Sequence, residues 1–184
     1  ISLGQIKTPQ AARALLDFLK KDPSNSGKIV AILETFPKDI ADDVLKLTDY
    51  HDPLVRYWAL TLLSKFASRD HIRKLRILTE DMVPEIRAAA CDCLGNTGSV
   101  EIKSVLIKCL KDDNWLVRSR AVYSLGKVMK DAAVPEVAAL INDPSWVVLD
   151  AVKAVMTDHI EASLPYIEKF LAGDYEVAKK YSVL

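Results

Sequence analysis

The sequence has no excess of charge of either sign. Lys and Arg together number 25, as do Asp and Glu, so the formal net charge is zero at neutral pH. A balanced chain exerts no long-range pull on phosphates or lipid headgroups, which disfavours nucleic acid as a partner. No charge-free apolar run approaches the ~20 residues needed to span a bilayer, so membrane insertion through a helix is excluded. No alternating β-branched run is long enough for a sheet. Glycine is scarce, at 6 residues, which suits helices joined by short turns. Cysteine is scarcer still. Cys91, Cys93 and Cys109 are odd in number and cannot all pair within the chain, which points to a reducing, cytoplasmic setting. No signal-peptide pattern is visible; the chain begins at Ile1 rather than Met, so nothing follows about a leader.

Constellations that carry chemistry are also missing. Cys91 and Cys93 stand two apart on an expected helix, where residues i and i+2 face different ways, so they read as packing residues rather than metal ligands. His51, His71 and His159 fall in turns or at helix ends without metal-ligand spacing. There is no Gly-rich phosphate loop, nucleophile elbow or Cys-His arrangement. Neighbouring carboxylates such as Asp42-Asp43 and Asp112-Asp113 suit solvated helix ends better than acid–base pairs. The expectation is a protein without catalytic residues, metal or cofactor.

What the chain does have is a repeat of itself. Asp81, Asp112, Asp143 and Asp174 stand at equal steps of 31 residues. The same step joins Val55, Ile86, Val117 and Val148, then Ala59, Ala90, Ala121 and Val152, then Leu63, Leu94, Leu125 and Met156. A fixed period with matched chemistry in each column signals stacked structural repeats. Within a repeat, Val55, Ala59, Leu62, Leu63 and Phe66 share one helical face. Another apolar stretch precedes each such helix, for example Ile102, Val105, Leu106 and Cys109. Two antiparallel helices per repeat follow, with turns at Asp52-Pro53, Val83-Pro84 and Asp143-Pro144. Gly95 and Gly126 are expected to end two of the second helices in a left-handed conformation. The fold class is all-α, a solenoid of about six helix pairs.

The ends depart from the pattern. Residues 1–50 keep helical periodicity but lose the 31-residue register, so they read as irregular N-terminal layers of the same solenoid, ahead of repeats over 51–184. Thr8 is a candidate N-cap for a helix from Pro9 to Leu19, and 22–27 reads as a turn cluster. Two short helices are expected at Ile29–Phe36 and Ile40–Leu47. Near the C-terminus, Tyr175 to Leu184 begins another second helix that stops without a polar capping repeat. The expectation there is a truncated last repeat and a piece of a longer protein.

The run from Asp81 through Pro84, Ile86, Arg87 and Ala90 to Leu94-Gly95 resembles the HEAT repeat, in the short form of phycobilisome-lyase-type repeats. Asp112 to Gly126 carries the same order with Val117-Arg118, Ala121 and Leu125-Gly126, and Asp52-Pro53 with Val55-Arg56, Ala59 and Leu63 is a third copy. That resemblance implies a right-handed superhelix with an inter-repeat ladder of Arg56, Asp81, Arg87, Asp112, Arg118 and Asp143. Leu149 stands where the next arginine is due. The resemblance also implies that second helices line the concave side. Tyr57, Trp58, Asp92, Arg120, Tyr123 and Asp150 are then the candidate partner-binding residues, suited by Tyr, Trp and Arg content to a protein or peptide. Trp58 and the tyrosines equally suit packing between layers, and Trp115 and Trp146 suit inter-repeat packing. The other reading is a nucleic-acid track of Arg56, Arg120, Lys127 and Lys153. Bilin-lyase and DNA-glycosylase activities of related repeats have no transferable residue signature here. The partner's identity and the oligomeric state are not legible in the sequence.

Overall fold

A helix pair whose apolar faces are each one stripe wide cannot bury them alone, so successive pairs must stack. The computed structural model, which describes residues 7–22 and 26–172, shows how the stack is made. Eleven α-helices are present among the described residues, and no strand. They are α1 (Pro9–Lys21), α2 (Ser26–Leu33), α3 (Ala41–Leu47), α4 (Pro53–Leu63), α5 (Ile72–Leu78), α6 (Pro84–Asn96), α7 (Lys103–Cys109), α8 (Trp115–Met129), α9 (Val134–Ala138), α10 (Trp146–Asp158) and α11 (Ile160–Leu171).

The starts of α3, α5, α7 and α9 step by 31 residues, as do those of α4, α6, α8 and α10. A short 3-10 turn introduces each helix of the first series, at Lys38–Ile40, Arg69–His71, Val100–Ile102 and Lys130–Ala133. The 31-residue register thus reaches back to Lys38, inside the segment expected to have lost it, because helix geometry keeps the step where residue chemistry no longer matches. The first helices are short, at 5 to 7 residues from α3 to α9. Isolated helices of that length are marginal in water. Their apolar stripes against the second helices hold them, as with the buried Ile72, Leu75 and Leu78 of α5.

The second helices begin where turn chemistry allows. Pro53 and Pro84 occupy the first helical positions of α4 and α6, where a missing N–H costs nothing. The side chains of Asp52 and Asn114 accept the backbone N–H of Leu54 and Leu116, capping α4 and α8. Trp115 and Trp146 hold the prolines' place in α8 and α10 and are 45% and 77% exposed. That departs from the inter-repeat packing expected of them. The first helical position points away from the stack, and a column that accepts Pro or Trp does not pack.

One hydrophobic core runs the length of the stack, from Ala11 to Met156. The columns from Val55 to Val148 and from Leu63 to Met156 are buried throughout. Each fully buried leucine among them contributes roughly 1.5–3 kcal/mol of transfer free energy. α1 joins that core through Ala12, Leu15, Leu16 and Leu19, and the Thr8 hydroxyl accepts the Ala11 N–H at 3.3 Å.

Gly95 and Gly126 differ from the sequence expectation. Both lie inside α6 and α8, and the only left-handed glycine among the described residues is Gly98, at φ 64°. Their purpose is space. A Cβ on Gly95 would stand 2.7 Å from Ser124 Oγ, and one on Gly126 would stand 2.7 Å from both methyls of Val155. Beside this approach the Ser124 hydroxyl donates to the Cys91 carbonyl at 2.9 Å, and the Cys93 thiol donates to the Leu60 carbonyl. Small residues thus bring α4, α6, α8 and α10 into direct side-by-side contact. The anticipated last helix, from Tyr175 to Leu184, and the Asp174 of the 31-residue column lie outside the described residues.

Candidate functional site

Two constellations stand out in the stack, and one of them recurs from layer to layer. The first joins the turns between paired helices. Arg56 donates through Nε and Nη2 to the two oxygens of Asp81, at 3.2 and 3.1 Å. Arg87 does the same to Asp112 at 2.7 and 2.7 Å, and Arg118 to Asp143 at 2.8 and 2.8 Å. The third guanidinium nitrogen of each donates backward to carbonyls of its own turn: Tyr50 and His51, Asp81 and Met82, and Asp112 and Asp113. Each aspartate also accepts the N–H two residues on, from Val83, Asn114 or Ser145, at 2.9 Å.

Every arginine therefore ties its own turn to that of the next layer through a planar fork, which lysine could not form. Side-chain exposure of these pairs is 17% or less. Burial pushes the Asp112 carboxyl up, but hydrogen bonds from Arg87 and the Asn114 N–H outweigh it and hold its pKa below the ordinary carboxylate range. Arginines so engaged are unavailable to phosphate. Leu149 interrupts the row at α10 and is 36% exposed.

The second constellation is a groove of about 190 Å³ crossing α4, α6 and α8. Tyr57, Asp92 and Arg120 line it together with Glu85, Thr61 and Ser64, over a floor that includes Leu60, Ala88 and Ala89. Burial raises the pKa of Asp92, against the pull of Arg120 and Lys127. Its contact with Arg120 Nε is loose, at 3.7 Å. A half-buried carboxylate, 40% exposed and holding only a loose ion pair, keeps acceptor positions open to an incoming donor.

The remaining candidates lie apart from the groove. Trp58 packs toward α2, its ring edge 3.8 Å from where a Cβ on Gly27 would stand, and Tyr57 meets it edge-on at 5.4 Å. Tyr123 on α8 is 40% exposed, and Asp150 on α10 is exposed, but neither lines the groove. Of the basic residues proposed as a nucleic-acid track, Arg56 is bound to Asp81 and Lys127 donates to Asn96 at 2.7 Å. Glu85 was not singled out from the sequence. The signal was its column, since Leu54, Glu85 and Leu116 share the 31-residue step and two of them line the groove.

The cysteines are free and buried. A hydrogen bond with Cys109 and desolvation push the Cys91 thiol up, and burial does the same to Cys93, so neither is a ready nucleophile. Among the described residues no cluster of three His, Cys, Asp or Glu side chains could hold a metal ion. None of their helices is long and apolar enough to cross a membrane.

Residues 74–156 match the family model of HEAT repeats. No curated protein matches the chain significantly. Among solved structures, a designed armadillo repeat protein in complex with the peptide (KR)4 is 18% identical, with TM-score 0.51, covering 97% of each chain. Computationally designed armadillo repeat proteins for modular peptide recognition are 19% identical, with TM-score 0.51, covering 98% of this chain and 94% of theirs. An engineered protein is 16% identical at TM-score 0.51, over 97% of this chain and 91% of its own. At these identities the likeness is one of fold.

Proposed function

From an all-helical solenoid whose residues 74–156 are HEAT repeats, we propose a docking scaffold without chemistry of its own, which seats an extended protein segment across its second helices. The observation that carries this reading is the groove in which Tyr57, Asp92 and Arg120 converge from three successive repeats. Its aromatic wall, half-buried carboxylate and guanidinium offer one contact of each kind that a peptide can use. Both signs of charge line it, which suits a peptide better than a polyanion. The second helices pack tightly side by side, as the inner row of a curved stack does, which favours a concave position for the groove. Similar designed armadillo solenoids are described as binding peptides.

Asp92 gives the reading a sharp test. Its raised pKa gives the charged carboxylate only a small stability cost in the free protein, because the side chain is 40% exposed and screened by solvent. That cost fades as pH falls into the carboxylate range. Asp92→Asn is therefore expected to leave the melting temperature at neutral pH no lower than that of the wild type and to weaken bound peptides. Peptides selected by display against the wild-type protein should lose about tenfold in affinity, roughly 1.4 kcal/mol, in Asp92→Asn and in Tyr57→Ala/Arg120→Ala. Unchanged affinity in both variants would remove the groove from consideration. Selection of no peptide, with tight salt-sensitive binding of single-stranded DNA instead, would favour the nucleic-acid reading.

A further inference from the structure

Eight arginines occur in the chain, and five of them reach a carboxylate: Arg13, Arg56, Arg87, Arg118 and Arg120. The other three are Arg69, Arg73 and Arg76, all within one short stretch. They stand at i, i+4 and i+7 along the 3-10 turn that runs into α5, so they share one helical face. All three are exposed, and no described carboxylate lies within ion-pair distance of any of them.

Folding does not ask for this arrangement. The equivalent positions of the next repeat are Val100, Ser104 and Ile107, and those of the one after are Asp131, Pro135 and Ala138. Like charges one turn apart repel, so the row opposes the helix that carries it. The face is also shaped. Arg69, Arg73 and Arg76 line an open depression of about 460 Å³ with Ile77, Asp70 and Glu101. Ile77 is 63% exposed there, and Val100, next to Glu101, is 64% exposed.

Each feature narrows the ligand. Guanidinium forks match carboxylates in two-point contact. Asp70 and Glu101 inside the same depression repel a uniform polyanion, so a nucleic acid or an anionic bilayer fits poorly, whereas a segment with discrete acids can avoid them. Exposed Ile77 offers an apolar contact beside the charges. The row is about 10 Å long at the helical rise, a length that an extended segment covers in about three residues. We propose that the outer face of α5 docks an acidic segment of a partner protein, with Asp or Glu side chains on Arg69, Arg73 and Arg76 and an apolar side chain on Ile77. This site belongs to the row of first helices and is separate from the groove on α4, α6 and α8.

The test is a fluorescence-anisotropy titration with a labelled peptide of repeated Glu-Glu-Leu triplets, against a Gln-Gln-Leu control. Wild-type protein is expected to bind the acidic probe, with affinity that falls as salt rises, and to ignore the control. Replacing all three arginines by Gln should weaken binding at least about tenfold while leaving the melting temperature within a few degrees. Tyr57→Ala/Arg120→Ala should bind the acidic probe as the wild type does. Methyl shifts of Ile77 and Val100 on addition of the probe to wild-type protein give a readout independent of any variant. Absence of probe binding, binding that survives the triple substitution, or unmoved Ile77 and Val100 methyls would each overturn the proposal. So would tighter binding of single-stranded DNA or phosphatidylserine vesicles through the same arginines.

Discussion

Arg87 shows how one side chain can hold two layers together. It makes a two-point bond with Asp112 at 2.7 Å and reaches back to the Asp81 carbonyl at 2.9 Å, with both partners largely shielded from water. Removing it leaves a shielded carboxylate without its cation, which costs roughly 3–5 kcal/mol when fully buried and somewhat less at this exposure. Arg87→Ala is expected to lose about 2–4 kcal/mol in urea unfolding, whereas Arg13→Ala, whose pair with Asp43 is exposed, should leave the urea midpoint close to that of the wild type. Similar losses in the two variants would show that the fork contributes no more than a surface pair. The pH dependence has a definite sign. Because the folded-state pKa of Asp112 is lowered, its contribution is full above the ordinary carboxylate range. It should disappear as pH falls through that range and below, and in Asp112→Asn the acid limb of the stability curve should be shallower. The aspartate–arginine spacing was readable in the chain; the direction of each bond, forward to the next layer, was not. Arg87 lies six residues after one aspartate and 25 before another, and only the stack shows that the nearer supplies its carbonyl and the farther its carboxylate.

At the scale of the helix, Gly126 tests whether close approach or turn conformation explains its column. Within a helix, Gly→Ala ordinarily gains about 0.5–1 kcal/mol. Here the new methyl would stand 2.7 Å from both methyls of Val155, so α8 and α10 must move apart. Gly126→Ala is expected to destabilise by about 1–3 kcal/mol, and the added change Val155→Ala should recover part of that loss. A stabilised single variant would mean that the two helices separate at no cost. The helices themselves were legible from apolar spacing, because each buries one stripe. Legibility was lower at their ends. A glycine after Leu94 suits both a left-handed cap and a tight helix crossing, and the neighbour that decides between them, Ser124, is 29 positions away. Trp146 was ambiguous for the same reason: its position in the 31-residue step was clear, but its direction depends on how α10 enters the stack.

Over the whole molecule, stability should be graded, since each layer of a solenoid contacts only its neighbours. The α6 and α8 layers are packed on both sides, while among the described residues α1 begins the stack and α11 ends it, with Ile160, Leu164, Phe170 and Leu171 exposed. Native-state hydrogen exchange should therefore find the slowest amides in α6 and α8 and progressively faster ones toward α1 and α11. Uniform protection from end to end would mean that the chain opens as a single cooperative unit instead. A graded stack would also suit the proposed docking role, since outer layers could adjust while the central ones hold the groove of Tyr57, Asp92 and Arg120 in place.

The sequence by itself determined the helical class, the 31-residue step and the buried columns, because these depend on contacts that recur at a fixed spacing along one chain. It also supplied the candidate side chains, but in a broader set than the groove contains. Only the tertiary structure decided that Asp92 meets Arg120 while Tyr123 and Asp150 stand apart, that Trp58 turns toward α2, and that Gly95 and Gly126 serve helix approach. The physical reason is common to all of these. Repetition specifies which face of a helix turns inward, whereas the neighbour a side chain finds there depends on how closely, and at what angle, separate helices pack.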